Sequence, residues 1–219
     1  MAATADAIED DLVKQHPARG ETRRLPFLVV VALELVVVDS AWALYSRLLA
    51  GFVLVSVWSC LRYDDSRGLN PSKIERRGVY YAMPLDRTKT SGRTKVKQEA
   101  VLHFRANVSG TEWVTCWMEL LRHPSLDFVR DYLLPLPAAG FSTVKHKIAE
   151  AADVSSMVRA LLESLRMPVS VRRKQDRRLV WQAGPKQLMP AGYADAFSNQ
   201  SPRKTMISLA SPLPGVQRY

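Results

Sequence analysis

Residues 58–97, WSCLRYDDSRGLNPSKIERRGVYYAMPLDRTKTSGRTKVK, decide the fold class. An apolar, helix-like segment ends in Leu61-Arg62-Tyr63-Asp64-Asp65, an extended segment follows, and a cation-rich hairpin then carries Lys89 at its tip. Eight basic residues between Lys73 and Lys97 (Lys73, Arg76, Arg77, Arg87, Lys89, Arg93, Lys95, Lys97) face two acids, Glu75 and Asp86. An arginine leaving a buried helix, together with a lysine on a β-hairpin, is in outline an arrangement that grips phosphate. Residues 78–104 read as strands turning at Ser91-Gly92, a small antiparallel sheet with its basic edge outward.

Upstream, residues 26–61 are strongly apolar, but Glu34, Asp39 and Arg47 interrupt them. The longest uncharged run there, Leu48 to Leu61, has 14 residues, against about 20 for a bilayer span. Two buried helices that part near Asp39-Ser40, with Ser40 capping the second, fit this pattern better than a membrane anchor. Residues 1–24 are polar, with an acidic start and a basic finish, and read as a flexible lead-in rather than a secretory signal.

Downstream, Trp113, Val114, Trp117, Met118 and Leu121 recur at helical spacing, with Ser109 or Thr111 as the cap. Pro135 and Pro137 break the chain, and residues 143–165 read as further helix with Asp153 as its cap and Val154, Met157, Val158, Leu161, Leu162 and Leu165 inward. Residues 166–199 hold a second basic cluster (Arg172, Arg173, Lys174, Arg177, Arg178) and read as a solvated linker in preference to a DNA-contacting strand and loop. Ser201-Pro202 is a strong helix start, serine at the cap and proline in the first turn. It sets Arg203 where free amides and the helix dipole favour an anion.

A chain of 219 residues, 24.6 kDa and 47% hydrophobic content is long enough for one well-buried domain. Its net charge of +10 and pI near 9.9 favour a polyanionic partner, because each neutralised phosphate releases counterions. Two cysteines, Cys60 and Cys116, and four scattered histidines supply neither a disulfide framework nor metal-ligand spacing. Both cysteines lie in apolar stretches and read as buried, reduced thiols of an intracellular protein.

The order LRYDD (61–65), LDRTKTSG (85–92), DYLLPLP (131–137) and SPRKTMISLAS (201–211) resembles the catalytic domain of tyrosine recombinases of the phage-integrase type, most of all those of eukaryotic mobile elements. The resemblance implies an α+β, mainly helical core over residues 25–212 with a small antiparallel sheet or hairpin at one edge, and a tail over 213–219. It implies DNA strand cleavage and rejoining through a 3′-phosphotyrosine, without metal or cofactor, in DNA recombination and integration. Arg62 matches the first arginine, Asp64 or Asp65 the acidic residue that braces the site, Lys89 the hairpin general acid with Lys95 as rival, and Arg203 the second arginine. Gln200 occupies the position of the family's histidine; an amide donates a hydrogen bond but does not titrate near neutral pH.

The family's nucleophilic tyrosine lies a few dozen residues beyond the second arginine, whereas this sequence ends 16 residues after Arg203, at a Tyr219 preceded by Pro212, Pro214 and Gly215. The expectation is therefore a core truncated at both ends that binds DNA without cutting it alone. Its partner is the phosphate backbone of double-stranded DNA, reached through Arg76, Arg77, Arg87, Arg93, Lys95, Lys97 and Lys204, with a homo-oligomer on DNA compatible with the family. A nuclear location follows if the source is eukaryotic. A non-catalytic basic nucleic-acid-binding module and a membrane-associated helical protein are the alternatives from other classes.

Overall fold

The computed structural model describes residues 23–85, 98–173 and 179–210. The Ser91-Gly92 turn, most of the lead-in, the tail and residues 174–178 of the second basic cluster lie outside the described residues. Within them the protein is α+β, combining helices with small antiparallel sheets.

The apolar run forms α1 (Phe27–Val38) and α2 (Leu44–Trp58), and its three charges explain the break. Val29, Val30, Val31, Leu33, Val36 and Val37 of α1 are all buried, as expected of a helix that is apolar all round and therefore central. Asp39 ends α1 by accepting the Ala41 amide at 2.9 Å, a side-chain turn that competes with the helix. This displaces the expected Ser40 cap: α2 begins after Ala43, without a side-chain cap. Arg47 returns from α2 to donate to the Val37 carbonyl at 2.9 Å, covering one of the last open carbonyls of α1. No helix among the described residues is long and apolar enough to cross a membrane.

Around this pair, α1 packs on α2, on α4 (Trp113–Leu120) and on the strands β6 (Arg166–Arg172) and β7 (Leu179–Gln187), while α2 also meets α3 (Tyr63–Arg67), α5 (Ala151–Ser164) and α6 (Ser201–Ala210). The helical stripe of α4 is buried as its spacing requires. Its fully buried Trp117 lies against Gly51, where an added Cβ would stand 1.8 Å from the indole, so glycine is what lets α4 close onto α2. Neither Ser109 nor Thr111 caps α4: their hydroxyls bond each other at 2.7 Å, and Glu112 takes the cap position. The Val108 and Ser109 amides instead donate to the fully buried Glu34 of α1, with Ser109 at 2.8 Å.

The expected sheet is present: β1 (Glu75–Arg77), β2 (Tyr80–Leu85) and β3 (Gln98–His103) pair antiparallel in that order, Leu85 facing Gln98 and Tyr80 facing His103. Ala100 and Leu102 point to the core, while Glu99, Val101 and His103 point out. Residues 143–165 are only partly helical. Val144–Ile148 forms β5 against β4 (Pro135–Pro137), and α5 starts at Ala151, where Glu150 caps and Asp153 reaches back to the Glu150 amide at 3.3 Å from the third helical position. Much of the linker expected over 166–199 is instead the antiparallel β6–β7 pair, whose Trp181 rests edge-on against Phe27, with a 3-10 turn at Tyr193–Ala196 after it. Arginines on its exposed positions hide the strand alternation.

Candidate functional site

The C-terminal end of α2 builds the site. Helices commonly close with one left-handed residue whose amide, and the next, bond back to the last turn. Cys60 takes that role with φ of 51°; its amide reaches Val57 O at 3.2 Å, and the Leu61 amide reaches Ser56 O at 3.1 Å. The chain is thereby turned off the helix axis with Leu61 buried and Arg62 exposed directly after it. Cys60 is accordingly exposed, which corrects its reading as a buried thiol. It sits beyond the helix, after the cap residue Ser59.

The short helix α3 is pinned behind Arg62. The Ser66 and Ser56 hydroxyls bond at 2.7 Å in the core, Tyr63 packs edge-on to Phe52 with centroids 6.0 Å apart, and Arg67 pairs with Glu150 at 2.9 Å. Burial pushes the Tyr63 phenol up to about 12, far from a pH at which it would ionise in the cell.

Arg203 reaches the same place from the other end of the chain. Before α6, the Ser198 amide donates to Ser201 Oγ at 3.0 Å and the Gln200 amide to Ser198 Oγ at 3.2 Å. The Ser201 hydroxyl thus faces back into the turn rather than capping forward as the sequence suggests. Thr205, fully buried, accepts the Leu25 amide at 2.8 Å and donates to Ser201 O at 2.8 Å, fixing the first turn of α6 to the strand-like entry of the chain. Tyr63, beside Arg62, and Ser201 and Pro202, beside Arg203, line one small apolar cleft with Leu25, Phe52 and Val53. Arg203 also acts on the Cys60 thiol: surrounding protein pushes the thiol pKa up, and the Arg203 charge opposes that shift. The two arginines, 141 positions apart in sequence, are therefore delivered to one end of α2. The sheet reaches that end as well, because Ser59 Oγ donates to Val101 O of β3 at 3.0 Å.

Most other described arginines are committed. Arg67 is paired with Glu150, Arg159 with Asp195, Arg47 and Arg130 with carbonyls, and Arg23 with the Tyr193 hydroxyl. Arg62 and Arg203 make no ion pair or hydrogen bond through their side chains with any described residue, so their donors face outward. Asp64 and Asp65 flank Arg62 in sequence yet form no ion pair with either arginine, so the bracing role expected of them is not made by direct contact among the described residues. Gln200 is exposed at the turn, three residues before Arg203, and Lys204 is exposed beside it.

Lys89, Arg87, Arg93, Lys95 and Lys97 lie outside the described residues, between the end of β2 at Leu85 and the start of β3 at Gln98. Arg77, expected on DNA, is held by Glu75 and Glu99 at 3.0 Å each, and these carboxylates raise its guanidinium pKa. That offsets its charge, while the side chain itself stays exposed. Arg76 behaves differently and lies over the Phe104 ring. Sequence reading missed Cys60 in the site, and it missed a separate cluster of His103, Phe104 and Arg105 at the end of β3, for which Phe-Arg directly after a strand is the local signal. No protein-family model, curated protein or solved structure matches this chain.

Proposed function

We propose that this chain binds double-stranded DNA through its phosphate backbone on a recombinase-like core, with Arg62 and Arg203 sharing one phosphate. One observation carries the reading: two arginines remote in sequence emerge at the same end of α2, each without a carboxylate partner among the described residues. Guanidinium groups suit this task because their planar fork of donors matches phosphate oxygens and their charge persists at any cellular pH. Arg203 stands in the first turn of α6, where the helix dipole adds to its attraction for an anion, although the Ser201 and Lys204 amides are already bonded to Ser198 O and Gln200 O and Pro202 has none.

On this reading Lys89 keeps the general-acid role that the resemblance implies, and Gln200 contributes a hydrogen bond without proton transfer. The proposal concerns binding: no residue is assigned as nucleophile. A DNA partner implies a nuclear location in a eukaryotic cell. The net charge of +10 supports the polyanionic partner but does not distinguish this site from a diffuse basic surface.

Anisotropy titrations of a labelled duplex at several salt concentrations make the distinction. The logarithm of affinity should fall linearly with the logarithm of salt, by about 0.9 per phosphate neutralised. Arg62→Ala and Arg203→Ala should each weaken binding roughly tenfold to a hundredfold, the range for losing a charge-assisted hydrogen-bonding group. Binding that is unaffected by both changes would leave only a diffuse basic binder, and affinity independent of salt would remove the phosphate contact altogether.

A further inference from the structure

At the end of β3 a second cluster of cations stands apart from the Arg62–Arg203 pair. The guanidinium carbons of Arg76 and Arg105 lie 5.8 and 5.7 Å from the centroid of the Phe104 ring, and the His103 imidazole stacks on that ring at 5.2 Å with planes 18° apart. The Arg105 amide donates to His103 Nδ1 at 3.0 Å, so the neutral imidazole carries its proton on Nε2. Arg76, His103 and Arg105 are exposed and Phe104 is half-buried.

Neighbouring arginines on β1 have opposite fates. Arg77 is clamped by Glu75 and Glu99, whereas neither Arg76 nor Arg105 meets a carboxylate among the described residues. A cation over an aromatic face is held in place without having its charge neutralised. Here two such cations share one ring, and an exposed imidazole, facing Tyr80 across the solvent side of the sheet, supplies a flat surface beside them. Such a grouping of open guanidiniums with a stacking surface suits a nucleotide whose base has left the duplex, since any base offers a π-face once it is unstacked. At about 3.4 Å per residue, His103 stands roughly 7 Å along the strand from Val101, which Ser59 of the first site touches.

We infer that Arg76, His103, Phe104 and Arg105 form a second contact that takes an unpaired nucleotide of the bound DNA, its phosphate on the two arginines and its base on the imidazole. This rests on the DNA-binding reading above. The test compares a blunt duplex with the same duplex bearing a short single-stranded overhang, using wild type, Arg76→Ala, His103→Ala, Arg105→Ala and Arg62→Ala. Wild type should prefer the overhang by about fivefold to a hundredfold, the range for stacking one base on an aromatic group. His103→Ala should abolish that preference while leaving blunt-duplex affinity unchanged, and Arg76→Ala and Arg105→Ala should flatten the salt dependence of overhang binding by up to about 0.7, the contribution of the one phosphate they share.

A wild type with no preference, or a preference that survives His103→Ala, overturns this inference. If Arg62→Ala still weakens blunt-duplex binding in that case, the first site stands alone. A wild type that binds neither DNA overturns both, and a His103-dependent preference that is indifferent to Arg62→Ala supports the second site against the first.

Discussion

Glu34 is the buried charge that ties the loop between β3 and α4 to α1, and its removal gives the sharpest stability test. Its carboxylate accepts the Ser109 amide at 2.8 Å and the Val108 amide at 3.1 and 3.2 Å, and the residue is wholly buried. Glu34→Ala leaves both amides without an acceptor. A buried donor left unmade costs about 1–3 kcal/mol, with the lower figure suited to Val108, whose bond is only partly buried. Relief of the buried charge offsets some of this, so a loss of about 2–4 kcal/mol is expected at neutral pH.

Glu34→Gln separates the charge from the acceptor, because one amide oxygen placed at Oε2 keeps both bonds. Burial, the dominant influence, raises the Glu34 pKa above its usual 4.5, against the opposing hydrogen bonds. The native state therefore binds the proton more tightly than the unfolded chain. The stability from that proton is complete below pH 4.5 and is lost as pH rises through the folded pKa. Urea unfolding followed by the fluorescence of buried Trp113 and Trp117, at a series of pH values, reads both effects. Glu34→Gln should lose the wild-type decline above pH 4.5, so that its stability relative to wild type grows as pH rises. Identical pH profiles for the two proteins, or a Glu34→Ala cost below about 0.5 kcal/mol, would refute the reasoning.

Three further outcomes follow from the same contacts. Gly51→Ala must displace the Trp117 indole, whose N–H donates to Leu48 O at 3.0 Å, and should cost about 3 kcal/mol or more in urea unfolding; a neutral result would mean that α2 and α4 are not this close. Cys60→Gly relieves a left-handed non-glycine residue and should stabilise by about 0.5–1 kcal/mol, whereas a loss would place the left-handed turn elsewhere. Bound duplex should slow alkylation of exposed Cys60 by N-ethylmaleimide while leaving half-buried Cys116 unchanged, and equal rates with and without DNA would remove the α2 terminus from the interface.

Sequence reading found the paired central helices because the charges at Glu34, Asp39 and Arg47 interrupt an otherwise apolar run, and it found the β2–β3 pair through its partial alternation but not the exposed strand β1 at Glu75–Arg77. It could not find the partners of those charges, since a glutamate in an apolar stretch carries no local mark of the amides it will meet 74 and 75 residues later. The Cys60 turn was hidden because such turns usually announce themselves with glycine. The β6–β7 hairpin was hidden because its arginines mimic a solvated linker. Asp153 was visible as a cap residue but displaced by three positions, as a reciprocal cap pair permits. That Arg62 and Arg203 both neighbour the end of α2 has no local signature in the sequence; only the ordered resemblance of separate motifs suggests it, and Tyr63 and Pro202, their chain neighbours, line the same small cleft.

The claim that these two arginines act on one phosphate is tested most directly by a double-mutant cycle in DNA binding, with Arg62→Ala, Arg203→Ala and the double variant measured on one duplex at one salt concentration. Groups that share a ligand atom set couple, so the double variant should lose less than the two single losses added together, by at least about 1 kcal/mol. Losses that add within about 0.5 kcal/mol would mean that the arginines touch separate phosphates or none, and the shared site would have to be abandoned.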